Sequence, residues 1–290
     1  MRSMAHGVLA GYDGSRQSEH ALAWAARAAR ARGLMLTVAH AWEPHDCAPG
    51  DEVTAAALAR CAGEQVLARG MRFAQSIMDP GEVRPLLAGG PPGRVLCDHS
   101  TDAEMVVVSC RGYGGFARLR LGSVSAQVAA YAYGPVVVVR GHWRPSAEYV
   151  PGPVVVGADG SAASGSAIEF AVAEATLREA PLLAVCALAD NPGTLGGGHR
   201  LKDSFSELMD HWQQEYPALD IQRQVVDGSP REALLQAART AQLLVVGARG
   251  RGGVDGMAIG SVSYAVLHHA HCPVAVIHSR RPGPQPPGTT

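Results

Sequence analysis

The sequence predicts an α/β protein made of two tandem open parallel sheets, each with five strands and with helices on both faces. Short apolar runs alternate with segments of helical periodicity, which is typical of βαβ units around a parallel sheet. The chain has 290 residues, enough for about two domains. The same order of motifs also occurs twice, because Asp13 and Gly112 are repeated at Asp159 and Gly250.

In the first half, apolar runs predict strands at 8–10, 34–41, 83–87, 105–108 and 136–139. The first helix has the clearest boundaries, since Ser15 is a suitable N-cap and the apolar periodicity ends at Gly33. A long Ala-rich helix is predicted over about 51–78. Shorter helices are predicted up to about Ser100 and over 123–133.

In the second half, strands are predicted at 154–156, 182–188, 221–226, 243–246 and 274–277. Helices are predicted at about 162–179, 201–216, 231–239 and 262–270, with a loop over 190–198. We expect a first domain over 1–144, a proline-rich linker over 145–152, a second domain over 153–279 and a disordered tail over 280–290. The repeat spacing shortens by eight residues around the second helix of each half.

The stretch from Gly247 to Ser261 follows an apolar strand, is rich in glycine and precedes a helix. Glycines let the backbone approach a ligand closely, and a helix N-terminus offers unpaired N–H groups and a positive dipole end. Together these features suit a phosphate chain. A second copy runs from Ser109 to Ser123. The loops and the Asp-Gly-Ser turns all follow strands, so we expect them to share the carboxyl edge of the sheet and one ligand.

The chain resembles the universal stress protein family, in its tandem-domain form, over about residues 7–279. The family's nucleotide motif is glycine, two residues, glycine, nine residues, and then glycine with serine or threonine. The second half matches it completely, whereas the first half has Ser109 where the first glycine belongs. The resemblance implies Rossmann-like sheets with strand order 3-2-1-4-5, and ATP as the cofactor, alone or with Mg²⁺.

The resemblance also implies a role for each site residue. The aspartate that closes the first strand would hold the ribose or the adenine edge, and an apolar residue on the second strand would flank the base. The glycines and the serine of the loop would hold the phosphates. The residues expected to contact nucleotide are Asp159, Ala187, Gly247, Gly250, Gly260, Ser261 and Val262 in the second half, and Asp13, Ala41, Gly112, Gly122, Ser123 and Val124 in the first.

The sequence leaves two interpretations of the loops open. Their glycines and serines either bind phosphate, helped by Arg249 and Arg251 or by Arg111, or only permit tight packing and cap helices. The second half is the stronger candidate, because Ser109 adds a Cβ where the first half needs a bare backbone. Arg118 and Arg120 in the first loop either help phosphate binding or fill the pocket.

Other kinds of site fail on particular residues. Lys202 is the only lysine, so no lysine follows a glycine loop as a Walker A motif requires. Asp255 and Ala117 stand where the Rossmann G-x-G-x-x-G pattern needs glycine. The histidine cluster that ends at Cys272 is not expected to bind a metal, because it spans a helix end and the next strand. We expect Cys110 to be a buried, inert thiol.

Three functions agree with this pattern: a regulatory protein controlled by ATP occupancy, a slow ATP-hydrolysing enzyme, and an interaction scaffold without a ligand. The sequence favours the first, because no general base or Mg²⁺-binding carboxylate cluster is apparent near the loops. The formal charge of −1 gives no reason to expect nucleic acid or a membrane as a partner. We expect a soluble cytoplasmic homodimer. By the same resemblance, strands 136–139 and 274–277 should pair the two halves.

Overall fold

Strands and helices alternate along both halves of the chain in the computed structural model, which describes residues 6–44, 52–112, 121–140, 152–188, 197–250 and 258–278. The elements of the first half are β1 Gly7–Gly11, α1 Arg16–Arg32, β2 Leu36–Trp42, α2 Glu52–Gln75, β3 Val83–Gly89, α3 Pro92–His99, β4 Ala103–Ser109, α4 Ser123–Tyr131 and β5 Val136–Val139. Those of the second half are β6 Val154–Gly157, α5 Ala162–Leu177, β7 Leu182–Leu188, α6 Gly197–Glu215, β8 Ile221–Asp227, α7 Pro230–Ala237, β9 Leu243–Gly247, α8 Ser261–His269 and β10 Val274–Ile277.

The first helix of each half begins at a serine N-cap. The Ser15 side chain accepts a hydrogen bond from the Ser18 N–H at 3.1 Å, and Ser161 does the same for Ser164 at 3.2 Å. Each cap satisfies one of the backbone donors that a helix leaves unpaired at its start. The predicted N-cap at Ser15 is therefore confirmed, and it recurs in the second half.

All ten strands belong to one sheet with the order β3-β2-β1-β4-β5-β10-β9-β6-β7-β8. Each half has the predicted order 3-2-1-4-5 and is parallel throughout. The prediction of two separate sheets needs a correction, because β5 and β10 pair antiparallel with Val138 opposite Val274. An uncharged edge strand presents unpaired N–H and C=O groups, and the two edges satisfy each other.

The antiparallel junction has a consequence for the two halves. Since the strands within each half are parallel, every strand of one half runs opposite to those of the other. The turns and loops at the carboxyl ends of the strands therefore share one edge within each half, as predicted. The two halves, however, present these ends at opposite edges of the ten-stranded sheet.

Helices cover both faces of the sheet. The core on one face is formed with α1, α2, α5 and α6, and includes Trp24, Leu67, Ile168 and Met209. The core on the other face is formed with α3, α4, α7 and α8, and includes Leu96. Both cores run through the two halves. Among the helices within the described residues, none has the length and apolarity that crossing a bilayer requires.

The difference in repeat spacing lies between the second and third strands of each half. The helix in this interval is α2 in the first half, with 24 residues, and α6 in the second half, with 19 residues. The shorter helix, α6, begins at Gly197, so the end of the predicted loop 190–198 is helical instead. The predicted tail 280–290, and the linker 145–152 apart from Gly152, lie outside the described residues.

Glu179 is the one described non-glycine residue with positive φ, at 50°. Its repeat partner is Gly33, which ends α1 with φ 62°. A side chain in this left-handed conformation costs roughly 1–2 kcal/mol, part of which glycine regains. We therefore expect Glu179→Gly to raise the free energy of unfolding by about 0.5–1 kcal/mol in urea denaturation. Gly33→Ala should lower it, and a Glu179→Gly variant of lower stability would contradict this explanation.

Candidate functional site

An Asp-Gly-Ser turn closes the first strand of each half. In the second half, Asp159 Oδ1 accepts a hydrogen bond from the Ser161 N–H at 2.9 Å. In the first half, Asp13 Oδ1 accepts from the Ser15 N–H at 3.0 Å. Aspartate favours turns because its side chain can bond the backbone two residues further on. In both halves this bond holds one carboxylate oxygen in the turn.

The second carboxylate oxygen lies against the glycine loop. A Cβ added at Gly250 would lie well inside 3.0 Å of Asp159 Oδ2, and one at Gly112 would do the same at Asp13 Oδ2. Real Cβ atoms essentially never approach another atom so closely. Glycine at these two positions therefore lets the loop backbone meet the aspartate, and the two motifs form one site in each half.

Hydrogen bonds fix the start of the last helix on the end of the neighbouring strand. The Gly260 N–H donates to the Ala248 carbonyl at 2.7 Å, and Ser263 Oγ donates to the Gly247 carbonyl at 2.6 Å. The first half repeats both bonds at the same distances, with Gly122 and Ser125 as the donors. The loop of each half is therefore closed at its base.

The start of α8 carries no side-chain cap. Gly260 is the N-cap, and no side chain there bonds the first turn, unlike the serine caps of α1 and α5. Ser261 is exposed beside it. The α4 helix begins in the same way at Gly122. Each of these helix starts combines uncapped N–H groups, the positive dipole end and a hydroxyl, which together suit an anionic ligand.

Packing within the protein requires glycine at position 247 but not at position 260. A Cβ on Gly247 would lie 2.9 Å from the carbonyl carbon and the Cβ of Ala163, so the packing of α5 on β9 requires glycine. A Cβ on Gly260 would find its nearest neighbour at 3.5 Å, and its φ and ψ of −76° and 158° suit any residue. Protein packing therefore explains Gly247 but not Gly260.

The base-flanking positions predicted on the second strands lie at the same edge as the loops. Ala187 is half-buried near the end of β7, two residues beyond Val185, whose carbonyl accepts from the Ala158 N–H. Ala41 holds the equivalent place on β2 and is also half-buried. Each alanine stands on the strand next to the one that ends in the site aspartate. Val124 and Val262 lie in the first turns of α4 and α8.

Four serines of the site framework were missed in the sequence. They are Ser18 and Ser164, which donate through Oγ to the carbonyls of the capping serines, and Ser125 and Ser263, which anchor α4 and α8. All four are buried. The signal was present, because both copies share a serine five residues after the aspartate and another three residues after the last loop glycine.

The first half keeps this framework despite Ser109. Ser109 Oγ donates to the Arg111 carbonyl at 2.8 Å, and the contact between Asp13 and Gly112 is the same as in the second half. What differs is the turn, because Arg69 of α2 donates to the Gly14 carbonyl at 2.8 Å. The loop arginines Arg118 and Arg120 lie outside the described residues.

A cavity of about 580 Å³ lies between α7 and α8 and reaches the start of α8. Its lining residues are Ser229, Pro230, Arg231, Ile259, Ser261, Val262, Tyr264, Ala265 and His269. In the first half, Gln127 of α4 lies against Gly93 of α3 at the corresponding place. The repeat partners of Gln127 and Gly93 are Ala265 and Arg231, so in the second half the larger of the two residues stands on α7 rather than on α8.

The thiols and histidines give no metal centre within the described ranges. No three His, Cys, Asp or Glu side chains there are arranged to hold an ion. Burial raises the pKa of Cys272 to about 12, so this thiol stays protonated and is a poor metal ligand. Cys110 is 3% exposed, as predicted for a buried thiol.

The fold and the two sites define a duplicated α/β protein with a glycine loop set against an aspartate turn in each half. The family model described as the Universal stress protein family matches residues 4–140 and residues 152–278. The chain therefore belongs to the universal stress protein family, in its tandem form.

Relatives match this chain over almost their whole length. A universal stress protein of Mycobacterium tuberculosis is 36% identical over 288 residues, which cover 93% of this chain and 96% of that protein. A universal stress protein of Mycolicibacterium smegmatis is 35% identical, and the match covers 95% of this chain and 98% of that protein. The crystal structure of a universal stress protein from Archaeoglobus fulgidus matches with a TM-score of 0.74 at 20% identity, covering 96% of this chain and all of that one. This last likeness is one of fold.

The packing of Gly247 on α5 gives a stability prediction. Gly247→Ala forces a Cβ onto the Ala163 backbone, so we expect urea denaturation to show a loss of about 1–3 kcal/mol in unfolding free energy. Gly260→Ala is the matched control, because its Cβ meets ordinary contacts. It should change stability by less than about 1 kcal/mol, the usual cost of alanine at an N-cap. Equal losses in the two variants would contradict the distinction.

Proposed function

We propose that the chain binds ATP at the carboxyl edge of its second half and acts as a nucleotide-dependent regulatory module in the stress response. The main support for this proposal is the presence of glycine at position 260. It starts an uncapped helix, needs no positive φ and is not required by packing within the protein. A close approach of ligand phosphate to the backbone explains why a side chain is absent there.

The chemistry of the second-half site fits the parts of an adenine nucleotide. Asp159 Oδ2 faces the loop and can accept a hydrogen bond from a ribose hydroxyl or an adenine amine. The backbone N–H groups at the start of α8 and the Ser261 hydroxyl are donors for phosphate oxygens. The exposed Arg249 can add a charge-assisted bond, and the half-buried Ala187 gives the base an apolar neighbour. Mg²⁺, where present, would be held mainly by the phosphates themselves.

The first half is proposed as a weaker site. It keeps the contact between Asp13 and Gly112 and the uncapped helix start at Gly122. However, the Arg69 side chain is bonded to the Gly14 carbonyl of its Asp-Gly-Ser turn, and Ser109 stands where the second half has Gly247. We propose that these two differences make the first half the weaker site.

The proposed regulatory role is supported by how the second-half site connects to the rest of the fold. The α8 helix begins at the site and leads directly into β10, the strand that pairs with β5 of the first half. A nucleotide bound at the start of α8 would therefore lie close in the chain to the strand that joins the two halves. We propose that nucleotide binding changes how the chain, alone or as a homodimer, presents its surfaces to a partner.

Isothermal titration calorimetry with ATP tests the site. We expect Gly260→Ala to weaken ATP binding by about tenfold or more, equivalent to 1.4 kcal/mol, because its Cβ occupies the place of a phosphate. Gly122→Ala is the matched control in the first half and should leave the main binding event unchanged. ATP affinity in Gly260→Ala equal to that of the unaltered chain would contradict the proposal.

The same preparations separate regulation from catalysis. A binding module should release phosphate far more slowly than about 1 per second, the low end of typical turnover. Faster release that is lost in Gly260→Ala would identify an ATP-hydrolysing enzyme instead. Absence of ATP binding in a folded chain would leave the interaction scaffold as the better description.

A further inference from the structure

The last helix of each half is bonded near its end by a side chain of the other half. Arg140, just after β5 of the first half, donates a hydrogen bond to the Leu267 carbonyl of α8. His278, just after β10 of the second half, bonds the Ala129 carbonyl of α4 through Nε2 at 3.0 Å. Since a carbonyl oxygen only accepts, Nε2 carries the proton. We refer to these two hydrogen bonds as the crossed contacts.

The crossed contacts are two copies of one contact. Their two side-chain donors stand 138 positions apart in the sequence, and so do their two carbonyl acceptors, which makes each pair repeat partners. The pairing of β5 with β10 has the same symmetry, because Val137 lies opposite Ala275, its own repeat partner. The junction is therefore an approximate two-fold arrangement, in which each half gives the other the contact that it also receives.

Each crossed contact satisfies a carbonyl in the last turn of a helix. The last carbonyls of an α-helix have no N–H partner within the helix, and they form the negative end of its dipole. In α4, the Tyr133 N–H could have continued the helical pattern to Ala129, but it donates to Ser100 Oγ instead, at 2.7 Å. A donor from the other half takes its place, and a positively charged donor is the most favourable one there.

Arg140 is buried at this junction, with 8% of its surface exposed. Burial raises the pKa of Cys272 to about 12, and the charge of Arg140 opposes this rise, so the guanidinium lies close to the turn between α8 and β10. An arginine stays protonated at any ordinary pH. The end of α8 therefore always has a cation from the first half beside it.

The helices that receive the crossed contacts are those that begin at the candidate nucleotide sites. The α8 helix has nine residues, from Ser261 to His269, and is about 13 Å long. Its start is bonded to the end of β9 in its own half, through Gly260 and Ser263. Its end is bonded to the first half through Arg140. The helix is therefore tied to a different half at each end.

A helix as short as α8 depends on its tertiary contacts. Isolated helices of fewer than about 12 residues are marginal in water. Loss of the contact at the end of α8 should therefore loosen its first turn as well. That first turn holds the uncapped N–H groups to which we assign the phosphates.

We propose that each candidate nucleotide site is controlled from the opposite half, an inference that rests on the function proposed above. Arg140 of the first half is a positioning residue for the second-half site, because it holds the helix whose start binds the phosphates. His278 of the second half is the corresponding positioning residue for the first-half site. A change at the junction of the halves is thereby felt at both sites.

Isothermal titration calorimetry of the full chain with ATP tests this assignment. Arg140→Met removes the donor to α8 and keeps a long side chain, so we expect the main binding event to weaken by about threefold to tenfold. His278→Met should leave this event unchanged, although His278 belongs to the same half as the stronger site. Arg140→His should keep most of the affinity, because a histidine already makes the other crossed contact.

Arg32→Met is the matched control for a general loosening of the junction. Arg32 of α1 is paired with Glu174 of α5, so this variant also removes a charged contact between the halves, but one that involves neither α4 nor α8. Glu174 keeps Arg178 as a partner. We expect Arg32→Met to lower the Tm and to leave the affinity for ATP unchanged.

Amide hydrogen exchange without nucleotide gives a second readout, which does not depend on ATP. Arg140→Met should increase exchange in α8 but not in α4, and His278→Met should do the reverse. Arg32→Met should not distinguish the two helices. A merely structural role of the crossed contacts would raise exchange in both helices together.

The possible outcomes separate the crossed control from nucleotide binding itself. If the unaltered chain binds no ATP, the proposed function fails and the control of the sites fails with it. If ATP binds equally well to a folded Arg140→Met variant, or equally weakly to Arg32→Met, the crossed control is wrong while the proposed function stands. Exchange that increases only in the helix of the mutated residue's own half would also overturn the crossed control.

Discussion

The antiparallel pairing of β5 with β10 is the contact on which the arrangement of this chain depends. It joins two parallel five-stranded units into one sheet and satisfies the backbone groups of two apolar edges. Because it reverses the strand direction, the two aspartate and glycine sites lie at opposite edges. It also brings α1 and α5 together, so that Arg32 of one half bonds Glu174 of the other. Two separate sites and an ion pair between the halves follow from a single strand pairing.

Within each site, glycine is present at different positions for different physical reasons. Gly250 and Gly112 allow the loop to meet an aspartate, and Gly247 allows a helix to pack on a strand. Among the motif glycines that the structure describes, Gly260 and its partner Gly122 are the two that packing does not require, since their backbone is ordinary and space for a Cβ exists. Packing therefore accounts for part of the motif, and phosphate binding is our proposal for the remaining positions.

The sequence was sufficient for the positions of the strands, the repeat and the glycine motifs, because these depend on local periodicity and on spacing within one copy, whereas the strand order was implied by the family resemblance. The resemblance also implied the contact between strands 136–139 and 274–277, which is confirmed, but not that this contact is antiparallel and joins both halves into one ten-stranded sheet. Arg69 on Gly14 and Gln127 on Gly93 were also missed, because these contacts join residues about 55 and 34 positions apart on different elements.

The central claim is that one half of this duplicated chain holds a nucleotide better than the other. Native mass spectrometry of the chain in the presence of ATP measures this most directly, because it counts nucleotides per chain and chains per particle together. We predict one bound ATP for each chain at ATP concentrations that saturate the second-half site. No bound ATP would contradict nucleotide binding itself, and two bound with equal affinity would contradict the inequality of the halves.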